Sequence, residues 1–173
     1  MRIKSSLIPS LITSIRVILA FLLLYSLIND LRILSISLFF IAVASDAFDG
    51  YIARQLGASS SAGAYFDIIA DFILVLNVFL AFVIDGIYPY WILILIVLVF
   101  LQFIVSSKFK VLIYDPLGKY YGSFLFLMIL ITLLPLEFIN YNLLLVIIVV
   151  FTFISLISRY LYFIFRKINK KQD

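Results

Sequence analysis

The chain has 173 residues, 66% of them hydrophobic, and a mean hydropathy of +1.26; a soluble domain averages about 45–50% apolar residues, so this chain has more apolar surface than a core in water can hide. With no cysteine and no histidine, disulfides, thiolate chemistry and imidazole as base, nucleophile or metal ligand are excluded. The net charge of +4 is not carried by any aromatic-basic soluble patch, so it argues against a nucleic-acid partner and for attraction to lipid headgroups.

A helix needs about 20 mainly apolar residues to cross the hydrocarbon of a bilayer. Six segments qualify, over 7–28, 33–54, 62–84, 88–107, 118–135 and 141–165. The first is interrupted by Arg16 and is followed by no small-residue cleavage site, so it is expected to be an uncleaved helix rather than a signal peptide. Polar breaks separate the segments: Asn29-Asp30, Asp85-Gly86, Asp115-Pro116-Leu117-Gly118, and Pro135 with Glu137. No long polar stretch or repeat divides the chain. The expectation is an all-α integral membrane protein with six transmembrane helices in one domain, 1–173. Basic residues orient it. Arg2 and Lys4, Arg54, Lys108, Lys110 and Lys119, and Arg166, Lys167, Lys170 and Lys171 all fall on one side. The opposite loops carry Arg32 beside Asp30, Asp85 and Glu137. The positive-inside rule then places both termini and the 55–62 connection in the cytoplasm. Tyr88, Tyr90 and Trp91 read as interfacial anchors.

Chemistry concentrates where the second segment ends and the third begins. Asp46, Asp49, Gly50 and Ala53 follow i, i+3, i+4, i+7 and share one helix face. Gly63, Asp67, Ala70 and Asp71 share another. Both faces are acidic and nearly free of side-chain bulk. The short Gly- and Ser-containing connection lets the two helices fold back, so that the faces can meet near the cytoplasmic surface. Each Asp within a membrane segment costs on the order of 2.5–3.5 kcal/mol by insertion scales. Proton sharing or a divalent metal can offset that cost. Four oxygen donors suit hard cations such as Mg²⁺ or Mn²⁺, and such ions polarise phosphate oxygens. Gly50, Ala53 and Gly63 leave room for a phosphate ligand, and Arg54 can pair with one.

The pattern Asp46-xx-Asp49-Gly50-xx-Ala53-Arg54, eight residues, Gly63-xxx-Asp67-xxx-Asp71 resembles the signature of the CDP-alcohol phosphotransferase family at every fixed position. The resemblance implies two metal ions. Asp46, Asp49 and Asp67 would hold the first, and Asp46, Asp67 and Asp71 the second. It implies Asp71 as general base, and Gly50, Arg54 and Ser60 as contacts to the CDP portion, with Ala53 and Gly63 in the same surface. Pro9, Thr13 and Arg16 resemble the family's Pro-Asn-xx-Thr-xx-Arg opening, with Ser10 in place of Asn; Thr13 is carried over as a nucleotide contact.

The reaction so implied joins a CDP-linked lipid donor to a small polar alcohol, with release of CMP. Candidates for holding an acceptor phosphate, as in glycerol 3-phosphate or inositol phosphate, are Lys108, Lys110, Lys119 and the intramembrane Arg159. The competing reading makes the lysines topology determinants and lets Arg159 snorkel to the surface. Gly118-Lys119 resembles the opening of the fifth helix in glycerol-phosphate-using members, whereas Phe72 stands where those members usually carry lysine. Membrane lipid is the expected surround, and a homodimer is common in the family. Two other functions compete: a cation or proton transporter built on the aspartates, and a transferase using a soluble CDP-alcohol with a lipid acceptor.

Overall fold

The computed structural model describes the backbone of residues 4–55, 61–107, 118–134 and 138–169, and the side chains of 15–45, 65–105, 120–134 and 138–161. The described residues form six α-helices and no strand: α1 Lys4–Ile28, α2 Arg32–Gln55, α3 Ser61–Ile84, α4 Trp91–Ser107, α5 Gly118–Leu133 and α6 Tyr141–Asn169. Each starts within three residues of the segment expected from hydropathy. The start of α4 is late because Pro89 disfavours a helical Tyr88. Its first turn closes through Ile92 N–H to the Pro89 carbonyl at 3.1 Å and Leu93 N–H to the Tyr90 carbonyl at 3.2 Å. The end of α6 runs past the apolar stretch through Arg166 and Lys167, good helix formers whose charge suits a helix C-terminus.

Two helix ends share one closing motif. After α1, Leu31 N–H reaches the Ser26 carbonyl at 2.9 Å and Asp30 N–H the Leu27 carbonyl at 3.0 Å, with Asp30 left-handed at φ 55°. After α3, Ile87 N–H reaches the Phe82 carbonyl at 2.9 Å and Gly86 N–H the Val83 carbonyl at 3.1 Å, with Gly86 at φ 72°. Both are Schellman closures, which satisfy carbonyls that a helix end otherwise orphans. At the start of α6, the Asn140 side-chain oxygen accepts from the N–H groups of Asn142 at 3.0 Å and Leu143 at 3.2 Å, an N-cap.

Apolar runs long enough to cross a membrane occur in α3, over Tyr65–Ile84, and in α6, over Tyr141–Leu161. Large apolar side chains such as Phe21, Ile33, Phe40, Ile94 and Phe153 stay exposed on the helices. Surface of this kind fits lipid far better than water, and the protein is membrane-associated.

The chain divides into two compact units, Met1–Ile87 and Tyr88–Asp173. In the first, α1 packs against both α2 and α3. Ala20, Leu23 and Leu27 of α1, Phe39 and Ala42 of α2, and Leu74, Val78 and Ala81 of α3 are all buried in this unit. The Ser26 and Ser35 hydroxyls, 2.9 Å apart, tie α1 to α2.

In the second unit, α6 packs against both α4 and α5. Polar links pin this packing. Thr152 donates its hydroxyl to the Ile148 carbonyl at 2.7 Å, so the Tyr121 hydroxyl, 3.0 Å away, is the donor to Thr152. Thr132 likewise donates to the Met128 carbonyl at 2.8 Å and accepts from Tyr88 at 2.8 Å. Gln102 donates to the Leu156 carbonyl at 3.1 Å, joining α4 to α6. Phe124 and Phe151 stack with centroids 4.1 Å apart. Thr152→Val removes the acceptor of the buried Tyr121 hydroxyl. It is expected to lower stability by about 1–2 kcal/mol, read from denaturant unfolding in detergent micelles.

Candidate active site

The site grows from the α1–α3 seam. On α1, Arg16 precedes Ala20, Leu23 and Leu27 at spacings of four, three and four, so it lies on the stripe that buries itself against α3. On α3, Asp67 and Asp71 precede Leu74, Val78 and Ala81 at helical spacing, so both carboxylates continue the buried stripe. The seam is apolar toward its C-terminal end and charged toward its N-terminal end.

The charges meet there. Arg16 Nη1 donates to Asp71 Oδ1 at 2.9 Å. The Arg16 side chain is 1% exposed and that of Asp71 29%. A bond of this length between ionised partners is charge-assisted. A guanidinium withdrawn from solvent to this extent needs a partner anion, because desolvation of an uncompensated charge costs several kcal/mol. The asymmetry in exposure matters for chemistry: the arginine is sealed into the seam, while the carboxylate keeps access to its surroundings.

The pair sits well inside the helices. Arg16 lies 12 residues before the end of α1 and Asp71 lies 13 before the end of α3, about 18–20 Å at 1.5 Å per residue. Asp30 and Asp85 mark that far end. Partial burial pushes the Asp85 carboxyl above the ordinary carboxylate range, and the nearby Asp30 carboxylate adds to the rise.

The other residues expected from the sequence distribute as follows. Asp67 stands one turn before Asp71 on α3 and is partly buried. Asp46, Asp49, Gly50, Ala53 and Arg54 all lie on the C-terminal part of α2, Gly63 in the first turn of α3, Thr13 on α1 one turn before Arg16, and Lys119 at the start of α5. Their side chains are outside the described residues, as are Ser60, Lys108 and Lys110 altogether. Among the described residues no three acidic side chains converge, and α2 and α3 both pack against α1. Closure of the two acidic faces thus lies outside the described side chains. The donor chemistry present does fit a hard cation: Asp67 and Asp71 are oxygen ligands one turn apart, on the order of 6 Å between Cβ atoms.

Arg159 is placed firmly. It is 4% exposed, its Nη1 donates to the Val99 carbonyl at 3.4 Å, and its guanidinium lies 5.2 Å from the centroid of the Phe103 ring. It is therefore held against α4 by a carbonyl and a cation–π contact.

Comparison with known proteins adds two findings. Residues 6–156 match the family profile described as CDP-alcohol phosphatidyltransferase. The chain belongs to the CDP-alcohol phosphatidyltransferase family. It is also similar to a Pseudomonas fluorescens protein named CDP-diacylglycerol–glycerol-3-phosphate 3-phosphatidyltransferase, 44% identical over 71 residues, which cover 39% of this chain and 36% of that relative. The shared stretch thus spans about a third of the curated relative's length. The CDP-alcohol phosphatidyltransferase match includes α1 from Ser6 onward and every aspartate of the motif, and ends three residues before Arg159. Within it, Arg16 is the residue whose part sequence reading alone missed. The arginine of the Pro9–Thr13–Arg16 opening was visible, but nothing in the linear chain joined it to Asp71, 55 positions away.

Proposed function

We propose that the protein transfers a phosphatidyl-type group from a CDP-linked lipid to a small polar alcohol and releases CMP. The observation that carries this reading is the geometry of α3: Asp67 and Asp71 lie one turn apart at the family's motif positions, with Asp71 gripped by a buried arginine. In the family the donor is CDP-linked and the acceptor an alcohol. The similarity to the Pseudomonas fluorescens protein makes glycerol 3-phosphate the first acceptor to try, with inositol phosphate next.

Asp46, Asp49 and Asp67 would hold one Mg²⁺ or Mn²⁺, and Asp46, Asp67 and Asp71 a second. Bound there, such ions supply charge stabilisation to the diphosphate oxygens. The chain's own groups do the rest. Thr13, Gly50, Ala53, Arg54, Ser60 and Gly63 form the surface for the CDP portion, with the small residues allowing close approach of the backbone. Asp71 takes the proton of the acceptor hydroxyl. The acceptor oxygen then bonds to the lipid-side phosphorus, and the bond from that phosphorus to the bridging oxygen of the diphosphate breaks, so CMP leaves with that oxygen. Lys108, Lys110, Lys119 and Arg159 are the candidates for an acceptor phosphate. Lys119 and Arg159 come first among them, Arg159 because a guanidinium can pair with a phosphate through its planar fork.

The family match runs across both compact units, which supports one catalytic domain over 1–173. Six membrane spans, cytoplasmic termini and a cytoplasmic-facing site belong to the same proposal; the orientation is supported by the basic residues near the N-terminus of α1 and the acidic Asp30 and Asp85 at the other end. A homodimer is part of the same reading. The test uses protein purified in detergent with Mg²⁺ and CDP-diacylglycerol. CMP release is expected with glycerol 3-phosphate or inositol phosphate and not with serine or without acceptor. Ion flux across reconstituted vesicles, with no CMP from any acceptor, would replace the transferase by a transporter.

A further inference from the structure

We infer that Arg16 is a positioning residue for the metal centre: it holds the Asp71 carboxylate at the orientation in which that side chain serves as a ligand. This rests on the reading of Asp71 as a metal ligand. Three observations carry it. The guanidinium is sealed, at 1% exposure, on a helix that supplies no aspartate to the motif. It makes a 2.9 Å bond to one named oxygen, Oδ1, of the last motif aspartate. The carboxylate it grips keeps 29% exposure, so the arginine restrains Asp71 without burying it.

An aspartate on a helix has two side-chain torsions, and a carboxylate that must serve an ion loses affinity when those torsions are unrestrained. Hydrogen-bond partners behind ligating carboxylates fix that orientation, and removing them typically lowers metal affinity or activity by about 10–100-fold. A flexible surface lysine could not do this; a guanidinium locked in the α1–α3 seam can, because packing has already fixed its own torsions. Placing this cation also counters the repulsion between Asp71 and Asp67, one turn away. Helix α1 thereby gains a part in the site, although the motif aspartates come only from α2 and α3.

The experiment reads Mn²⁺ binding by electron paramagnetic resonance on the full chain in detergent, without lipid or nucleotide, alongside melting temperature. Arg16→Gln is expected to weaken Mn²⁺ binding by about 10–100-fold. Arg16→Lys, which keeps the charge but not the planar fork, should fall between it and the unsubstituted chain. In an Asp71→Asn background, Arg16→Gln should make no further difference, since the amide it would release is a poor ligand. Should Arg16→Gln not fold, the intermediate affinity of Arg16→Lys carries the test. Unchanged Mn²⁺ affinity in a folded Arg16 variant, with only a lowered melting temperature, overturns the inference and leaves a structural brace. A further loss in the Asp71→Asn background overturns it too. Failure of the unsubstituted chain to release CMP, while the Mn²⁺ order holds, sinks the transferase reading alone.

Discussion

Asp71→Asn is expected to lower CMP release by about 10²–10⁴-fold per folded molecule, the range for loss of a positioned general base. The substitution keeps the shape of the side chain and removes its capacity to accept a proton. On the proposed reading it also weakens one metal ligand, which pushes in the same direction. The folded state should survive the change. The amide oxygen still accepts from Arg16 Nη1, so the cost stays below the roughly 3–5 kcal/mol that follows when a buried ion pair loses one partner outright. Measuring turnover and melting temperature on the same preparation separates the two effects. Wild-type turnover from a folded Asp71→Asn protein would remove Asp71 from the chemistry.

Chelation should be the other large effect. Exhaustive EDTA treatment followed by gel filtration is expected to abolish CMP release, by a factor on the order of 10³ or more, because a bound divalent ion supplies several kcal/mol of charge stabilisation. Mg²⁺ or Mn²⁺ added back should restore it. Ca²⁺ prefers more ligands at longer distances, and should restore much less. The protein should stay folded throughout, since its helices are held by apolar packing and by hydroxyl and amide links such as Tyr121–Thr152 and Gln102–Leu156. Full turnover after metal removal would turn the aspartates back toward proton sharing, the other explanation for carboxylates in apolar helices.

Much of this fold was legible in the chain itself. Helix positions followed from apolar runs, and their ends from polar breaks such as Asp85-Gly86, where Gly86 takes the left-handed conformation. The candidate site was legible as well. Spacings of three and four residues put Asp46 with Asp49, and Asp67 with Asp71, on common faces by the helical period alone. Helical periodicity is local, and local order is what a sequence displays.

The pairings were not legible, because they join residues that no period connects. Arg16 read as an interruption of a membrane segment and as one matching position of a motif. Only the packing of α1 on α3 turned it into the partner of Asp71. Arg159 read as an acceptor-phosphate candidate or a snorkelling side chain, and its contacts with the Val99 carbonyl and the Phe103 ring, 60 and 56 positions away, were not visible in the linear chain. The sequence alone therefore determined that this is an apolar, helical chain with two acidic faces, since composition and periodicity carry that information directly; the phosphotransferase reading came from the resemblance of those faces to a family signature. Tertiary structure decided that Arg16 answers Asp71. That choice depends on which helix faces share a seam, a property of packed surfaces rather than of residue order.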